Sequence, residues 1–285
     1  MTRIDRRALF TSGAAAALLA ATGTSLAASP RAGGALRLAL PRESGLLDLV
    51  ARGAVLDCLT EIAPDGLLRA ELASAWESRD AAQVWRFDLR QDVSFHDGTP
   101  LQAADVVASL QGRSVAGADQ MVDQMSVTAL DLYRVEIQLA QPNPHLPYLL
   151  AGPDHVIAPQ GAVDVPLAQL VGSGCYQVER AQDGRHFRAT KVVGHYKDGQ
   201  AGWVDSLEVI VIPDAAVRAE ALRDGFVDVA ALPQPAELLK CGGFLYHPSA
   251  EDMALATRSD VGIPRVVGQQ SALDDGRIAE RWWRL

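Results

Sequence analysis

The apolar and polar positions of this chain change period along its length, and the change is sharpest between Val84 and Leu110. In Trp85-Arg86-Phe87-Asp88-Leu89-Arg90 they alternate, the pattern of a strand with one face in a core and the other in water. A short extended piece around Val93 to Phe95 runs into His96-Asp97-Gly98-Thr99-Pro100, where Asp-Gly and Pro reverse the chain. From Ala103 the period becomes helical, with Ala103, Val106, Val107 and Leu110 at i, i+3, i+4 and i+7. This predicts strand, tight turn, helix, and assigns His96-Asp97 to the turn rather than to acid/base chemistry.

The same reading extends over the rest of the chain. Gly33-Gly34 precedes a strand over 35–40, and Pro41, Arg42 and Glu43 follow at its end, where side chains can point at a ligand. A helix is predicted over 46–59, then a strand closed by a Pro64-Asp65-Gly66 turn. Residues 111–123 read as a loop with one helical turn, 126–131 and 133–139 as a hairpin, 145–150 as a short helix and 155–158 as a strand. The glycines of Val171-Gly172-Ser173-Gly174-Cys175-Tyr176 allow close backbone approach to a neighbour. The run is not a nucleophile elbow, because Val171 stands two before the Ser. Strands over 176–181 and 186–191 form a second hairpin. An apolar strand over 207–212, a helix over 215–223 capped by Asp214 and ended at Gly225, and a strand over 227–230 make a βαβ unit. The fold class is therefore α/β with a mixed sheet and flanking helices.

Residues 1–28 read as an export signal. Arg3, Arg6 and Arg7 lead an apolar stretch of small residues that ends in an A-x-A-like Ser25-Leu26-Ala27, too short for a stable membrane anchor. Asp5-Arg6-Arg7-Ala8-Leu9-Phe10 is twin-arginine-like, and the ordinary secretory route stays open. The expected location is periplasmic and soluble. Removing this segment takes three Arg and one Asp, so the formal charge of −9 becomes more negative still, which argues against nucleic acid as a partner. Cys58, Cys175 and Cys241 show no zinc spacing, and the sequence does not choose a disulfide among them. His186 and His195 read as surface residues, with no metal or cofactor implied. No H-E-x-x-H, Ser elbow or paired-carboxylate motif is present, so no catalytic residue is assigned.

The run Phe87-Asp-Leu-Arg-Gln-Asp-Val-Ser-Phe-His-Asp-Gly-Thr-Pro100 and its continuation to Leu110 closely resemble a signature of the extracellular solute-binding proteins of ABC importers, family 5, the peptide/nickel type. Leu72-Ala-Ser-Ala-Trp76-Glu77, Gly172-Ser-Gly-Cys-Tyr176 and Val227-Asp-Val-Ala230 resemble further phrases of that family. The resemblance implies a type II periplasmic-binding-protein lobe over 29–272 and a non-enzymatic protein that binds a peptide or similar small solute for an inner-membrane ABC permease. Residues 273–285 resemble the opening of the family's second lobe, which is otherwise expected to be largely absent. A terminal helix docking Trp282 and Trp283 on the lobe is the alternative reading of this tail. Arg42, Glu43, Cys175 and Tyr176 are the candidate ligand-binding residues. An apolar former-cleft face near 40–43 and 175–176 is expected to be exposed and to favour self-association. A binding or interaction module that no longer serves transport is the alternative function.

Overall fold

A computed structural model of the protein describes residues 30–42, 45–111, 114–116, 122–233, 242–248, 254–261, 264 and 275–284. Its centre is strand β1 (Ala35–Leu40), hydrogen-bonded on one side to a parallel strand (Ser206–Val211) and on the other to a second parallel strand (Val229–Leu232). We number these three β1, β12 and β13 in chain order. The sheet extends past β12 through β11 (His186–Lys191) to β10 (Tyr176–Gln182), and past β13 through β15 (Ala254–Arg258) to β14 (Phe244–Pro248), giving a mixed sheet of seven strands.

Helix α1 (Leu46–Val55) follows β1 and packs on one face of this sheet, where Val50, Val55 and Leu47 meet Leu36, Leu38, Leu40, Leu207 and Val209. The period-two pattern of β1 sends Ala39 to the opposite face, where it joins Ala230, Leu232 and Leu222 of the helix over Ala215–Arg223, named α4. Asp214 caps α4 by accepting from the Ala216 and Val217 amides at 2.7 and 3.3 Å, and Gly225 follows it at φ +80°, as predicted.

The predicted strand–turn–helix lies in a second unit. Strands β4 (Ala73–Arg79), β5 (Val84–Leu89), β8 (Ser126–Asp131) and β9 (Arg134–Gln138) form an antiparallel sheet in the order β4-β5-β9-β8. Helix α2 (Ala103–Leu110) covers it, so that Val106 and Leu110 bury against Phe87, Val135 and Ile137. Gln102 and Asp105 form a reciprocal capping box at its start. Trp76 packs at 6.4 Å from Phe87. The turn holds Gly98 at φ +86°, and Asp97 accepts from the Thr99 amide and hydroxyl. A hairpin of β2 (Thr60–Ile62) and β3 (Leu68–Ala70), closed through Gly66 at φ +79°, leads from the large sheet into this unit. Helix α3 (Leu146–Leu149) belongs to the way back.

Three local expectations are corrected. The described part of 111–124 is a ladder of β6 (Ser114–Ala116) with β7 (Val122–Gln124), because strand pairing satisfies its backbone where one helical turn could not. Residues 155–158 make a single bridge, Asp57 to Ile157, instead of a strand. His195 is buried, its Nε2 2.7 Å from the Ser173 carbonyl, whereas His186 is half-buried and pairs with Glu208 at 2.8 Å.

The tail 275–284 docks on the lobe through helix α5 (Ile278–Arg281). Ile278, Ala279 and Trp282 are fully buried against the core under α1. A glycine permits this approach: a Cβ on Gly53 would lie 1.5 Å from the Gly276 carbonyl oxygen; on the other side of α1's end, a Cβ on Gly172 would likewise lie 2.0 Å from the carbonyl oxygen of Val55. Gly53→Ala is therefore expected to destabilise the protein by about 1–3 kcal/mol through overpacking, read as a fall in the urea midpoint. An unchanged midpoint would show that α1 and the tail do not need this contact.

Candidate functional site

In an open α/β sheet the ligand crevice lies outside the carboxyl ends of the parallel strands, where neighbouring connections leave to opposite faces. Here β1 and β12 are such neighbours, because β1 continues into α1 on one face and β12 into α4 on the other. This end of the sheet, where that rule places a crevice, carries Arg42, exposed two residues beyond β1, and Pro213 and Asp214 beyond β12. It is fixed by Arg218. This buried guanidinium donates to the carbonyls of Ile212 and Pro213 at 2.6 and 2.9 Å and to that of Ala231 at 2.7 Å, tying together the ends of β12 and β13. A cavity of about 370 Å³ runs along α1 from Gly45 to Leu56 and is closed by Tyr148, Asp154 and the tail at Asp275–Arg281. Its volume is in the range of small-molecule sites, and its lining carries both carboxylates and guanidinium groups, paired with one another as Asp48–Arg52 and Asp275–Arg281.

The four residues singled out in the sequence are not brought together. Arg42 lies at the crevice, and Glu43 falls outside the described residues. Cys175 and Tyr176 stand at the other end of the sheet: the register runs from Gln177 through Thr190 and Ser206 to Ala35, the first residue of β1. Seven residues of extended chain, about 23 Å, separate that end from Arg42. Both side chains are also buried, as is Leu40, so the expected exposed apolar face is not formed at these residues. The reason is that α1 and the docked tail cover them.

What surrounds Cys175 is a buried ion cluster that the sequence did not disclose. Asp57, just after α1, accepts from Lys197 Nζ at 3.1 Å, Arg277 Nη1 at 3.2 Å, Ser173 Oγ at 3.0 Å and Tyr196 Oη at 2.9 Å. Glu71, at the entry to β4, accepts from Lys197 Nζ and Arg277 Nη2, each at 2.5 Å, and from the Cys58 amide at 2.8 Å. Glu280 of the tail pairs with Lys197 at 3.2 Å and Arg277 at 3.6 Å. Beside it Arg281 pairs with Asp275 and, at 3.1 Å, with Glu61. The cluster joins the large sheet, the small-sheet unit, the loop between β11 and β12 and the tail.

Three carboxylates share two cations here, so they cannot all hold charge equally well. Burial works against charge on Asp57, but Lys197 and Arg277 outweigh it and hold this carboxyl well below its ordinary range. For Glu71 burial prevails over Arg277 and Lys197 and pushes the carboxyl up to about 8, with the neighbouring Asp57 adding to the rise. Cys175 Sγ lies 3.6 Å from His195 Nδ1, which suggests a nucleophile and its base, but burial and the adjacent Glu280 push the thiol well above its usual value. Burial likewise raises Cys58, to about 12. Both thiols are therefore protonated and poor nucleophiles.

The comparisons agree with this architecture. A profile described as "Bacterial extracellular solute-binding proteins, family 5 Middle" matches residues 68–242. The chain belongs to that family. The curated "Periplasmic oligopeptide-binding protein OppA" of Escherichia coli is 30% identical over 201 residues, which cover 58% of this chain and 37% of OppA. The "HTH-type transcriptional regulator SgrR" of Photorhabdus laumondii is 35% identical over 127 residues, 44% of this chain and 22% of SgrR. Among solved structures, the PBP AgaA from A. tumefacien R10, in complex with agropinic acid, superposes with a TM-score of 0.63 at 25% identity, over 75% of this chain and 47% of AgaA. DppA from Helicobacter pylori, in complex with peptide STSA, gives 0.64 at 21% identity, over 77% of this chain and 51% of DppA. The chain thus spans about half the length of these type II periplasmic binding proteins and little more than a third of OppA. The family consists of binding proteins, and its fold is the one seen here.

The two displaced carboxyls give opposite pH dependences. The lowered value of Asp57 adds stability above its ordinary value near 3.8 that is lost as pH falls through the folded value. The raised value of Glu71 adds stability below 4.5 that is lost as pH rises toward about 8. Urea unfolding followed from pH 2 to 9 should therefore show stability falling on both sides of an optimum at pH ~4, between the two ordinary values. Asp57→Asn should flatten the acid limb and Glu71→Gln the alkaline limb, the latter by up to about 1.4 kcal/mol per pH unit. Variant curves parallel to the parent would contradict this assignment.

Proposed function

We propose that this chain provides the solute-binding lobe of an exported ABC-importer component and holds a short peptide or similar small solute at the carboxyl end of β1. The observation that carries the reading is the switch point between β1 and β12, with the exposed Arg42 on one side, Arg218 fixing the strand ends, and the mixed-charge cavity along α1 beginning three residues after Arg42. Arg42 and Glu43 contact the solute, whereas Cys175 and Tyr176 support the fold from the far end. In this reading residues 1–28 direct export to the periplasm, residues 29–272 form the lobe, and an inner-membrane permease receives the solute. The protein performs no covalent chemistry. No helix among the described residues is long and apolar enough to cross a membrane.

A second reading is favoured by the match to SgrR, a transcriptional regulator that shares this segment. There the lobe is a binding module working outside transport, and solute binding would still occur at the same crevice. The readings separate on whether a permease complex is recruited.

Titration calorimetry with mixed di- to tetrapeptides is expected to show saturable binding. Arg42→Ala should weaken it about fivefold, the order of 1 kcal/mol for one exposed charged contact. Absence of binding to every peptide tested, or equal binding by Arg42→Ala, would contradict the proposed site.

A further inference from the structure

A second cavity, of about 270 Å³, lies at the opposite end of the sheet from Arg42. Pro30, five residues ahead of β1, and Trp203, three ahead of β12, place it at the amino edge of the parallel strands. It is therefore separate from the crevice, by the same span of about 23 Å that separates Ala35 from Arg42.

Its walls are aromatic. Tyr196, Trp203 and Trp283 line it, all half-buried, and the Tyr196 ring is fixed because its hydroxyl donates to Asp57 at 2.9 Å. The indole Nε1 of Trp283 is buried and has no hydrogen-bond acceptor among the described residues, a donor that would ordinarily be satisfied. Two guanidinium groups stand at the same cavity with donors to spare. Arg90 gives its Nε to the Glu71 carbonyl at 2.6 Å and lays its Cζ 5.3 Å from the Tyr196 ring centre, and no described residue accepts from its Nη groups. Arg69, with a side chain 58% exposed, engages Asp65 through Nη2 alone.

The remaining ions of the lining, Lys197, Arg281, Glu61 and Glu280, are already paired among themselves and with the cluster beneath. Apart from the exposed amide of Gln200, which can both donate and accept, the spare polar capacity of the cavity is of the donor kind: an indole N–H and two guanidinium groups, within a chain whose formal charge is −9. Aromatic walls offer stacking to a planar body, and charged donors favour a carboxylate over a neutral acceptor.

We infer that this cavity is a binding site for a small aromatic carboxylate, whose ring lies between Trp203, Trp283 and Tyr196 and whose carboxylate takes up the free donors of Arg69, Arg90 and the Trp283 indole. The site is independent of the peptide crevice, and it touches the ion cluster through Lys197 and Glu280. A bound carboxylate would therefore stabilise the docked tail.

Indole-3-acetate and phenylacetate are suitable probes, with acetate and benzyl alcohol as controls that lack the ring or the charge. Titration of the full chain, read by calorimetry and by tryptophan fluorescence, is expected to give saturable binding of both aromatic carboxylates with Kd of roughly 10–1000 μM, and none of either control. Trp283→Phe keeps a ring and removes the N–H, and Arg69→Gln alters an exposed side chain. Each should weaken binding at least threefold while circular dichroism stays that of the parent. Arg42→Ala should leave binding unchanged. The inference is overturned if neither aromatic carboxylate saturates up to ~10 mM, if both cavity variants bind like the parent, or if Arg42→Ala abolishes binding.

Discussion

The structure depends on one arrangement of charge: Asp57, Glu71 and Glu280 held without water around Lys197 and Arg277. Taking ions out of water costs several kcal/mol each, so the cluster is tolerable only when every partner is in place. Those partners come from four places in the chain. Asp57 ends the α1 segment, Glu71 enters the small sheet, Lys197 stands between β11 and β12, and Arg277 and Glu280 belong to the tail. Displacing any one segment would leave the others with uncompensated buried charge. The apolar contacts of Ile278 and Trp282 and the glycine contact of Gly53 with Gly276 supply the area and closeness that make this docking possible.

A consequence is a division of labour between the ends of the large sheet. At the amino edge, buried charge joins the two units and the tail into one body, and the ions of the cluster are occupied with one another, while Arg69 and Arg90 beside them keep donors free. At the carboxyl edge, Arg218 fixes the strand ends by three carbonyl contacts while Arg42 remains exposed. A rigid sheet with one end locked and the other open is what a binding lobe requires, since a crevice held in place loses less freedom when a ligand enters.

Much of the fold was legible in the sequence because period and turn chemistry are local. The alternation of 84–89, the helical spacing of 103–110, the Asp214 cap and the Gly98 turn all follow from neighbours within a few residues, and each has its counterpart in the structure. The resemblance to family 5 rested on those same residues. The candidate site was less legible. Arg42 could be placed because the end of a parallel strand has a general meaning, but Cys175 and Tyr176 were grouped with it without knowledge of register, and β10 turned out to begin at the opposite edge. Nothing local marks the cluster either: Asp57, Lys197 and Arg277 look like ordinary surface charges in sequence and are joined across as many as 220 positions. The one sign in the sequence is the tail, where two charged residues, Arg277 and Glu280, flank the apolar pair Ile278 and Ala279.

The most direct measurement of this dependence is a double-mutant cycle between Glu71 and Arg277, from urea unfolding at pH ~9, above the raised value of Glu71, where its carboxyl carries charge. Glu71→Leu and Arg277→Met are each expected to cost about 3–5 kcal/mol, because each leaves buried charge without its partner. If the cluster is the common tie, the double variant will be more stable than the sum of the single losses predicts by at least about 2 kcal/mol. Strict additivity would contradict the account, since it would mean that the tail and the small-sheet unit are held to the lobe independently of one another.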